Sequence, residues 1–198
     1  MKALVVIDPQ NDFCPGGALA VADGDSIMQP INALMDAFDL VILTQDWHPH
    51  GHSSFASSHD GASPFTLIEM PYGPQVLWPD HCIRGSDGAA FHPALDTACA
   101  DVVIRKGANP AVDSYSAFFE NDRKTTTGLA GLLREHGCDD LTMVGLATDY
   151  CVAWSALDGV KSGFRVEVRL PACRAIDLDG SLDRALADMR AAGVVLTA

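Results

Sequence analysis

The sequence is poor in positive charge. Its 198 residues include 13 Lys and Arg against 26 Asp and Glu, which gives a formal net charge of −13 at pH 7. A surface with this balance repels nucleic acids and anionic membranes, so we expect neither as a partner. No apolar run approaches the roughly 18 residues that a bilayer crossing requires. The expected partner is a small-molecule substrate, and the sequence leaves a homo-oligomer open.

Closely spaced cysteines are absent as well. The six cysteines are scattered, without a CxxC pair, in a chain long enough to bury a full core. This pattern does not look like a disulfide framework. The first residues, MKALVVIDPQNDF, also lack the longer apolar region and small-residue cleavage site of a signal peptide. We therefore expect a cytoplasmic protein with reduced thiols.

A glycine-rich phosphate loop is missing after the first apolar run. A nucleotide-binding module would carry GxGxxG or GxxxxGK[ST] at that place. The sequence continues with DPQNDF instead. This argues against a nucleotide-binding module.

Short β-branched runs occur along the whole chain, at 3–7, 40–43, 102–104, 141–144, 166–168 and 194–196. Runs that are apolar on both faces are typical of a parallel sheet covered on both sides. Amphipathic stretches lie between them, most clearly at 25–37, 127–136, 150–162 and 181–192. The alternation predicts an α/β fold: a doubly wound, mainly parallel sheet with helices on both faces, in one domain spanning 1–198.

The region at about 45–95 interrupts this alternation. Residues 47–95 contain six of the seven histidines, many Pro, Ser and Gly residues, and little periodicity. A long loop without secondary structure inside a compact domain is usually functional or disordered. The aromatic residues and histidines argue against disorder. We expect a functional loop without regular structure here.

Three chemically active side chains follow predicted strands. Asp8 closes the run ALVVI, Lys106 follows VVIR, and Cys151 comes just after LTMVGL at the start of a predicted helix. Ligands of open α/β sheets bind outside the carboxyl ends of the strands, so these residues are expected to converge. The helix N-terminus and the ammonium are expected to lower the thiol pKa. The set suits acyl transfer from an amide: a thiol nucleophile, a carboxylate for proton transfer, and an ammonium that holds Asp8 ionised.

Each of these residues also has an ordinary structural interpretation. Cys151 could be a buried core thiol, Asp8 before Pro9 could start a turn, and Lys106 could be a solvated residue at a strand end. Only their shared location favours the catalytic interpretation. Backbone N–H groups around Ala147 and Cys151 could then form an oxyanion hole.

A metal site is predicted in the long loop. Asp46 and His48, in TQDWHPHGH, share one face of an extended segment, because side chains alternate there. His81, in WPDHC, can complete a set of one carboxylate and two imidazoles, which suits zinc, iron(II) or manganese. His50 is expected to face solvent. His52 is left open as a fourth ligand, and the whole cluster could also be histidines that bind nothing.

Five motifs together carry a family resemblance: VVIDPQNDFCPGGALAV at 5–21, TQDWHP at 44–49, WPDHC at 78–82, VIRKGANPAVDSYSAFFEN at 103–121 and GLATDYCV at 145–152. With them the sequence resembles the nicotinamidase/pyrazinamidase family of the isochorismatase-like cysteine hydrolases, over essentially the whole chain. The resemblance implies hydrolysis of nicotinamide to nicotinate and ammonia, a step of NAD salvage, and implies activity on pyrazinamide. It also implies the catalytic triad Asp8, Lys106 and Cys151.

The resemblance further implies one divalent metal on Asp46, His48 and His81 that holds the pyridine nitrogen of the substrate. Zinc is favoured, with iron and manganese as alternatives. Other positions match a substrate pocket: Phe13 and Trp78 as aromatic residues on either side of the ring, Tyr115 as a pocket wall, and Leu146–Ala147 as a cis peptide that turns backbone N–H groups toward the oxyanion.

Two other enzymatic readings stay open. The first is a related cysteine amidohydrolase for carbamoyl or ureido substrates. The metal motifs disfavour it, because those substrates have no ring nitrogen to bind. The second is a metallohydrolase in which a metal-bound hydroxide attacks the substrate and Cys151 has only a packing role.

Overall fold

The structure, a computed structural model, describes residues 1–198. The chain forms eight strands: β1 (Lys2–Ile7), β2 (Leu40–Asp46), β3 (Leu67–Met70), β4 (Gly73–Val76), β5 (Val102–Lys106), β6 (Asp140–Leu146), β7 (Arg165–Arg174) and β8 (Val195–Thr197). Six of them form one sheet in the order β5-β2-β1-β6-β7-β8, in which every neighbouring pair is parallel. The predicted α/β class and all six predicted strands are confirmed.

Four α-helices pack on this sheet: α1 (Met28–Met35), α2 (Leu129–Glu135), α3 (Ala153–Lys161) and α4 (Ser181–Ala191). Each begins and ends within a predicted amphipathic stretch. The connection β1–α1–β2 runs in one direction across the sheet, whereas β6–α3–β7 and β7–α4–β8 run in the other. Because such connections are right-handed, α1 covers one face and α3 and α4, which pack together, cover the opposite face.

The two central strands are β1 and β6, and the strand order reverses between them. Residues 3–7 of β1 are fully buried, as expected for an apolar strand covered on both faces. Ligands of doubly wound folds bind at the carboxyl ends of the strands beside such a reversal. The fold therefore marks the ends of β1 and β6 as the place for a site.

The long loop contains regular structure that the sequence did not predict. Strands β3 and β4 form an antiparallel hairpin, with Met70 paired to Gly73. The expectation of a loop without regular structure is wrong over residues 67–76. Pro74 lies within the second strand, and Pro weakens a strand prediction. The first strand is half exposed and has only four residues, too few for a clear period of two.

All six cysteines are free thiols, which agrees with the expected absence of a disulfide framework. None of the helices combines the length and the apolar character that a membrane crossing needs.

Candidate active site

Asp8, Lys106 and Cys151 meet at the carboxyl edge of the sheet. Asp8 directly follows β1, Lys106 is the last residue of β5, and Cys151 lies beyond the end of β6. The three residues are 0%, 2% and 7% exposed. Ionisable groups are rarely buried this completely without a partner or a function.

Asp8 is held by the neighbouring strand. Its backbone takes a left-handed conformation (φ 45°), in which its N–H donates to Thr44 Oγ1 at 3.1 Å. The hydroxyl of Thr44, on β2, donates in turn to Asp8 Oδ1 at 2.6 Å. This pair of contacts fixes the carboxylate at the end of β1.

The Lys106 ammonium connects the other groups of the site. Its Nζ donates to Asp46 Oδ1 at 2.5 Å, to the carbonyl of Ser114 at 2.8 Å and to Cys151 Sγ at 3.6 Å. Asp8 Oδ2 lies 2.8 Å from the same nitrogen, with the geometry of an ion pair rather than of a directed hydrogen bond. The Lys106 ammonium thus contacts both carboxylates and the thiol.

Burial and the Lys106 charge have opposite effects on the carboxylates. Burial raises the pKa of Asp8 to about 6, although Lys106 opposes the shift. Burial acts in the same direction on Asp46, but there Lys106 and His48 outweigh it and bring the pKa well below its ordinary value. Burial would lower the pKa of Lys106, yet Asp46 and Asp8 raise it well above its ordinary value. Asp8 is therefore the carboxylate that can gain and lose a proton near neutral pH.

Cys151 lies in a π-helical turn, Thr148–Val152, directly before α3. Burial raises the pKa of its thiol well above the ordinary value, and Lys106 opposes this only in part. The expected lowering of the thiol pKa is wrong for this site, because exclusion of water outweighs the nearby ammonium. The thiol is protonated at rest and needs a base, and a carboxylate oxygen of Asp8 lies within 4.8 Å of its sulfur.

Asp46, His48 and His81 form a cluster in which the possible ligand atoms lie within 4.8 Å of one another. Nδ1 of His48 contacts the carbonyl of Gly107 at 2.9 Å, and Nδ1 of His81 contacts the carbonyl of Pro79 at 2.8 Å. Because a carbonyl accepts, both Nδ1 atoms carry the proton and both Nε2 atoms are free to bind a metal. The Nε2 atoms lie 3.6 and 3.9 Å from Asp46 Oδ2. Burial lowers the pKa of His81 to about 4, which keeps that ring neutral.

His52 belongs to a different arrangement. Its Nδ1 contacts the Ser54 hydroxyl at 2.7 Å, and its Nε2 contacts the carbonyl of Asn109 at 2.8 Å. Both nitrogens are thus engaged, and the ring lies beside that of His48 at a centroid distance of 4.4 Å, with the two planes tilted by 40°. On the other side of His48 a Cβ at Gly107 would come within 2.4 Å of the ring, so this position requires glycine. His52 lies outside the group of Asp46, His48 and His81, and it forms a second group of possible ligands with His48 and Asp113. His50 is exposed, as expected.

A narrow pocket with a cavity volume of about 20 Å³ opens onto Cys151, Asp46 and His81. Its lining is mainly apolar and aromatic: Phe13, Leu19, Asp46, Trp78, His81, Asp113, Tyr115, Ala147, Tyr150, Cys151 and Ile176. A lining of this kind with a few polar groups is typical of sites for flat small molecules.

The pocket contains four of the five residues expected from the resemblance to contact substrate. Phe13, Trp78, Tyr115 and Ala147 line it, and Trp78 Nε1 donates to the Tyr115 hydroxyl at 3.1 Å. The Leu146–Ala147 peptide is cis, as the resemblance implied. Leu146 itself does not line the pocket, because its side chain is fully buried in the core.

The remaining lining residues were missed by the sequence analysis. Asp113 and Tyr150 lie inside the recognised motifs, in VDSYS and TDYC, so their position near Lys106 and Cys151 was a usable signal. Leu19 also lies inside a motif, at 5–21, whereas Ile176 lies outside all five, and neither is distinctive, because apolar residues are common in loops.

A wider groove of about 720 Å³ lies at the opposite edge of the sheet, where Lys2 and Asp140 begin β1 and β6. It contains none of the predicted site residues. The predicted site residues lie at the carboxyl edge instead.

The parallel sheet, the cysteine in the turn after β6 and its buried carboxylate and ammonium define an α/β hydrolase with a candidate cysteine nucleophile. The chain belongs to the isochorismatase domain family, whose model matches residues 2–198. It is 56% identical to the nicotinamidase of Acinetobacter baylyi over 192 residues, which cover 97% of this chain and 90% of that protein.

Solved structures show the same similarity. The nicotinamidase/pyrazinamidase structure from Acinetobacter baumanii is 55% identical, with a TM-score of 0.97 over 98% of this chain and 94% of that one. The pyrazinamidase of Pyrococcus horikoshii in complex with zinc is 34% identical, with a TM-score of 0.79 over 99% of this chain and 98% of that one.

Proposed function

We propose that the chain is a nicotinamidase, which hydrolyses nicotinamide to nicotinate and ammonia in NAD salvage and also accepts pyrazinamide. The observation that carries this proposal is the position of Cys151, with Lys106 Nζ at 3.6 Å, in a pocket that also contains Asp46 and His81. A carbamoyl or ureido substrate would leave these metal-binding groups without a ring nitrogen to orient. The cytoplasm stays the expected location, in line with six free thiols.

The buried donor set fits a divalent metal. His48 Nε2 is buried without a hydrogen-bond partner, and it faces the Asp46 carboxylate. Asp46, His48 and His81 would hold the ion, and two imidazoles with one carboxylate suit zinc best. The similar pyrazinamidase of Pyrococcus horikoshii was solved in complex with zinc. When bound, the ion would supply a Lewis-acidic position able to hold the pyridine nitrogen and orient the ring.

The pocket walls position the carboxamide for attack. Phe13, Trp78 and Tyr115 line the pocket. The substrate ring would lie between Phe13 and Trp78, with Tyr115 closing one side. The N–H of Ala147 makes no hydrogen bond within the protein, so it is available for the substrate oxygen. This N–H and that of Cys151 stabilise the oxyanion that forms when the carbonyl carbon is attacked.

Acylation begins with a proton transfer. Asp8 takes the thiol proton of Cys151, and the sulfur attacks the carboxamide carbon. The C–N bond then breaks, and Asp8 returns the proton to the nitrogen, so that ammonia leaves and a thioester forms. The raised pKa of Asp8, about 6, suits a group that both accepts and donates the proton. Lys106 stays charged and balances the negative charge that passes between Asp8 and the sulfur.

Deacylation uses the same base. Asp8 takes a proton from a water molecule, whose oxygen attacks the thioester carbon. The C–S bond breaks, nicotinate forms, and the sulfur of Cys151 regains a proton from Asp8. The cycle restores the resting thiol, which is the form that burial favours.

Ammonia release from nicotinamide by the purified protein tests the proposal. Cys151→Ala is expected to abolish release, whereas Cys138→Ala, which removes another buried thiol at the amino end of β6, keeps it near wild type. No release by the wild type with zinc, iron(II) or manganese added would refute the assignment.

A further inference from the structure

The hairpin of β3 and β4 carries one side chain that reaches the pocket walls. Gln75, on β4, is fully buried although its strand lies outside the main sheet. The hairpin has no part in the chemical steps described above. A buried polar side chain at such a place needs hydrogen-bond partners, and these show what it does.

The amide nitrogen of Gln75 faces two residues that line the pocket. Its Nε2 lies 2.8 Å from Asp113 Oδ2 and 2.8 Å from the Tyr115 hydroxyl. The Tyr115 hydroxyl also accepts from Trp78 Nε1 at 3.1 Å. Trp78 and Tyr115, the aromatic wall of the pocket, are thereby linked to the hairpin by hydrogen bonds that include one amide group.

Asp113 extends this connection toward the metal cluster. Its Oδ1 accepts from the Ser114 N–H at 2.8 Å and lies 4.0 Å from His48 Nε2. Its Oδ2 is the atom held by Gln75. The carboxylate therefore has a fixed orientation beside a metal-binding imidazole.

The amide oxygen of Gln75 is used as well. It accepts from Asn121 Nδ2 at 3.1 Å and from the Tyr72 hydroxyl at 3.2 Å. A glutamate here could accept these bonds but could not donate to Asp113 or Tyr115. A methionine of similar length could do neither. These contacts require a side chain whose terminal group contains both a hydrogen-bond donor and a hydrogen-bond acceptor.

We infer that Gln75 is a positioning residue. It sets the distance between the aromatic wall (Trp78 and Tyr115) and the metal-binding wall (Asp46 and His48), and thereby the affinity for the substrate ring. This inference rests on the proposed function. Asp8, Lys106 and Cys151 share no hydrogen bond with Gln75, so the chemical step does not depend on it directly. The hairpin thus acts on substrate binding rather than on catalysis.

Steady-state kinetics with nicotinamide on wild type and Gln75→Met test the inference. KM is expected to rise about tenfold, the scale of one or two lost hydrogen bonds, while kcat stays within about threefold. Glu69→Gln, an exposed change on the other strand of the hairpin, is the matched control and should leave both constants unchanged.

A second, independent experiment exchanges the hydrogen-bond donor and acceptor between Gln75 and Asp113. Gln75→Glu puts a carboxylate against Asp113 and should raise KM more than Gln75→Met. Adding Asp113→Asn restores a donor–acceptor pair in the reverse direction, and we expect it to recover at least about fivefold of the lost affinity. If Gln75→Met does not fold, as judged by circular dichroism, the comparison of Gln75→Glu with the double variant alone tests the inference.

The outcomes separate this inference from the proposed function. If the wild type releases no ammonia from nicotinamide, the proposed function fails and the inference with it. If the wild type is active but Gln75→Met keeps KM within about twofold, or loses kcat at unchanged KM, only the inference is overturned. Absence of recovery in the double variant overturns it equally.

Discussion

Asp8 and Lys106 form an ion pair with no solvent exposure of either side chain, at 2.8 Å between Oδ2 and Nζ. Each residue stands at the end of a different strand, β1 and β5, with β2 between them. The pair explains why the two charges can be buried together: Lys106 compensates Asp8 and Asp46 at once, and the pKa of Asp8 still stays close to 6.

Removal of this cation should disable the site. In Lys106→Met the two carboxylates lose their counter-charge, so we expect kcat/KM to fall by on the order of 10³ and the free energy of unfolding to fall by about 3–5 kcal/mol. Kinetics and urea unfolding measure the two effects. Lys161→Met, which changes a lysine whose side chain is 70% exposed, is the control. Activity within tenfold of wild type would contradict the role of Lys106.

The pH dependence of kcat/KM should report the ionisation of Asp8. The mechanism needs the carboxylate as the base, and the pKa of Asp8 is raised to about 6. We therefore expect kcat/KM to be level above this pH and to fall about tenfold per pH unit below it. A profile without an acid limb between pH 5 and 7 would argue against Asp8 as the base.

Thr44 offers a way to assign that acid limb. Its hydroxyl donates to Asp8 Oδ1 and so favours the ionised carboxylate. Thr44→Val removes the donor at nearly constant volume, and the limb should move to higher pH. An unchanged limb in an active, folded variant would mean that another group titrates.

Metal content should depend on His81 and not on His52. Inductively coupled plasma mass spectrometry is expected to show near-stoichiometric metal in wild type and in His52→Gln, because both nitrogens of His52 already have hydrogen-bond partners. His81→Ala should bind much less. Chelation should raise KM for nicotinamide, and zinc should restore it. Loss of metal in His52→Gln but not in His81→Ala would overturn the ligand set.

Serine in place of Cys151 distinguishes the thiol mechanism from attack by metal-bound hydroxide. Cys151→Ser should reduce kcat by at least about 10³, since a serine hydroxyl is far less readily ionised by a single carboxylate. A metal-hydroxide enzyme would keep most of its rate. Metal content equal to that of wild type is the control that the site is intact.

The fold and the grouping of the candidate site residues followed from local sequence signals. Apolar runs placed the strands, and the rule that ligands bind at strand ends brought Asp8, Lys106 and Cys151 together, as the structure does. Alternation along an extended segment placed Asp46 and His48 on one face, and the possible ligand atoms of these two residues and His81 lie within 4.8 Å of one another. The predicted positions agree with the structure because each depends on short-range periodicity and on one topological rule.

What the sequence did not predict depends on packing. The thiol pKa of Cys151 moves in the direction opposite to the expected one, because its burial arises from residues distant in the chain. The hairpin was missed since Pro74 and weak alternation hide it. The contacts of Gln75 with Asp113 and Tyr115 span 38 and 40 residues, so no local pattern indicates them.

The most direct test of the central claim is a partition experiment with hydroxylamine. A nicotinoyl thioester on Cys151 is open to any small nucleophile that enters the pocket, so wild-type enzyme acting on nicotinamide should form nicotinohydroxamate at the expense of nicotinate as hydroxylamine is increased. Cys151→Ala should form neither product. Nicotinate alone at every hydroxylamine concentration, with ammonia release at the usual rate, would contradict a covalent intermediate and with it the role assigned to Cys151.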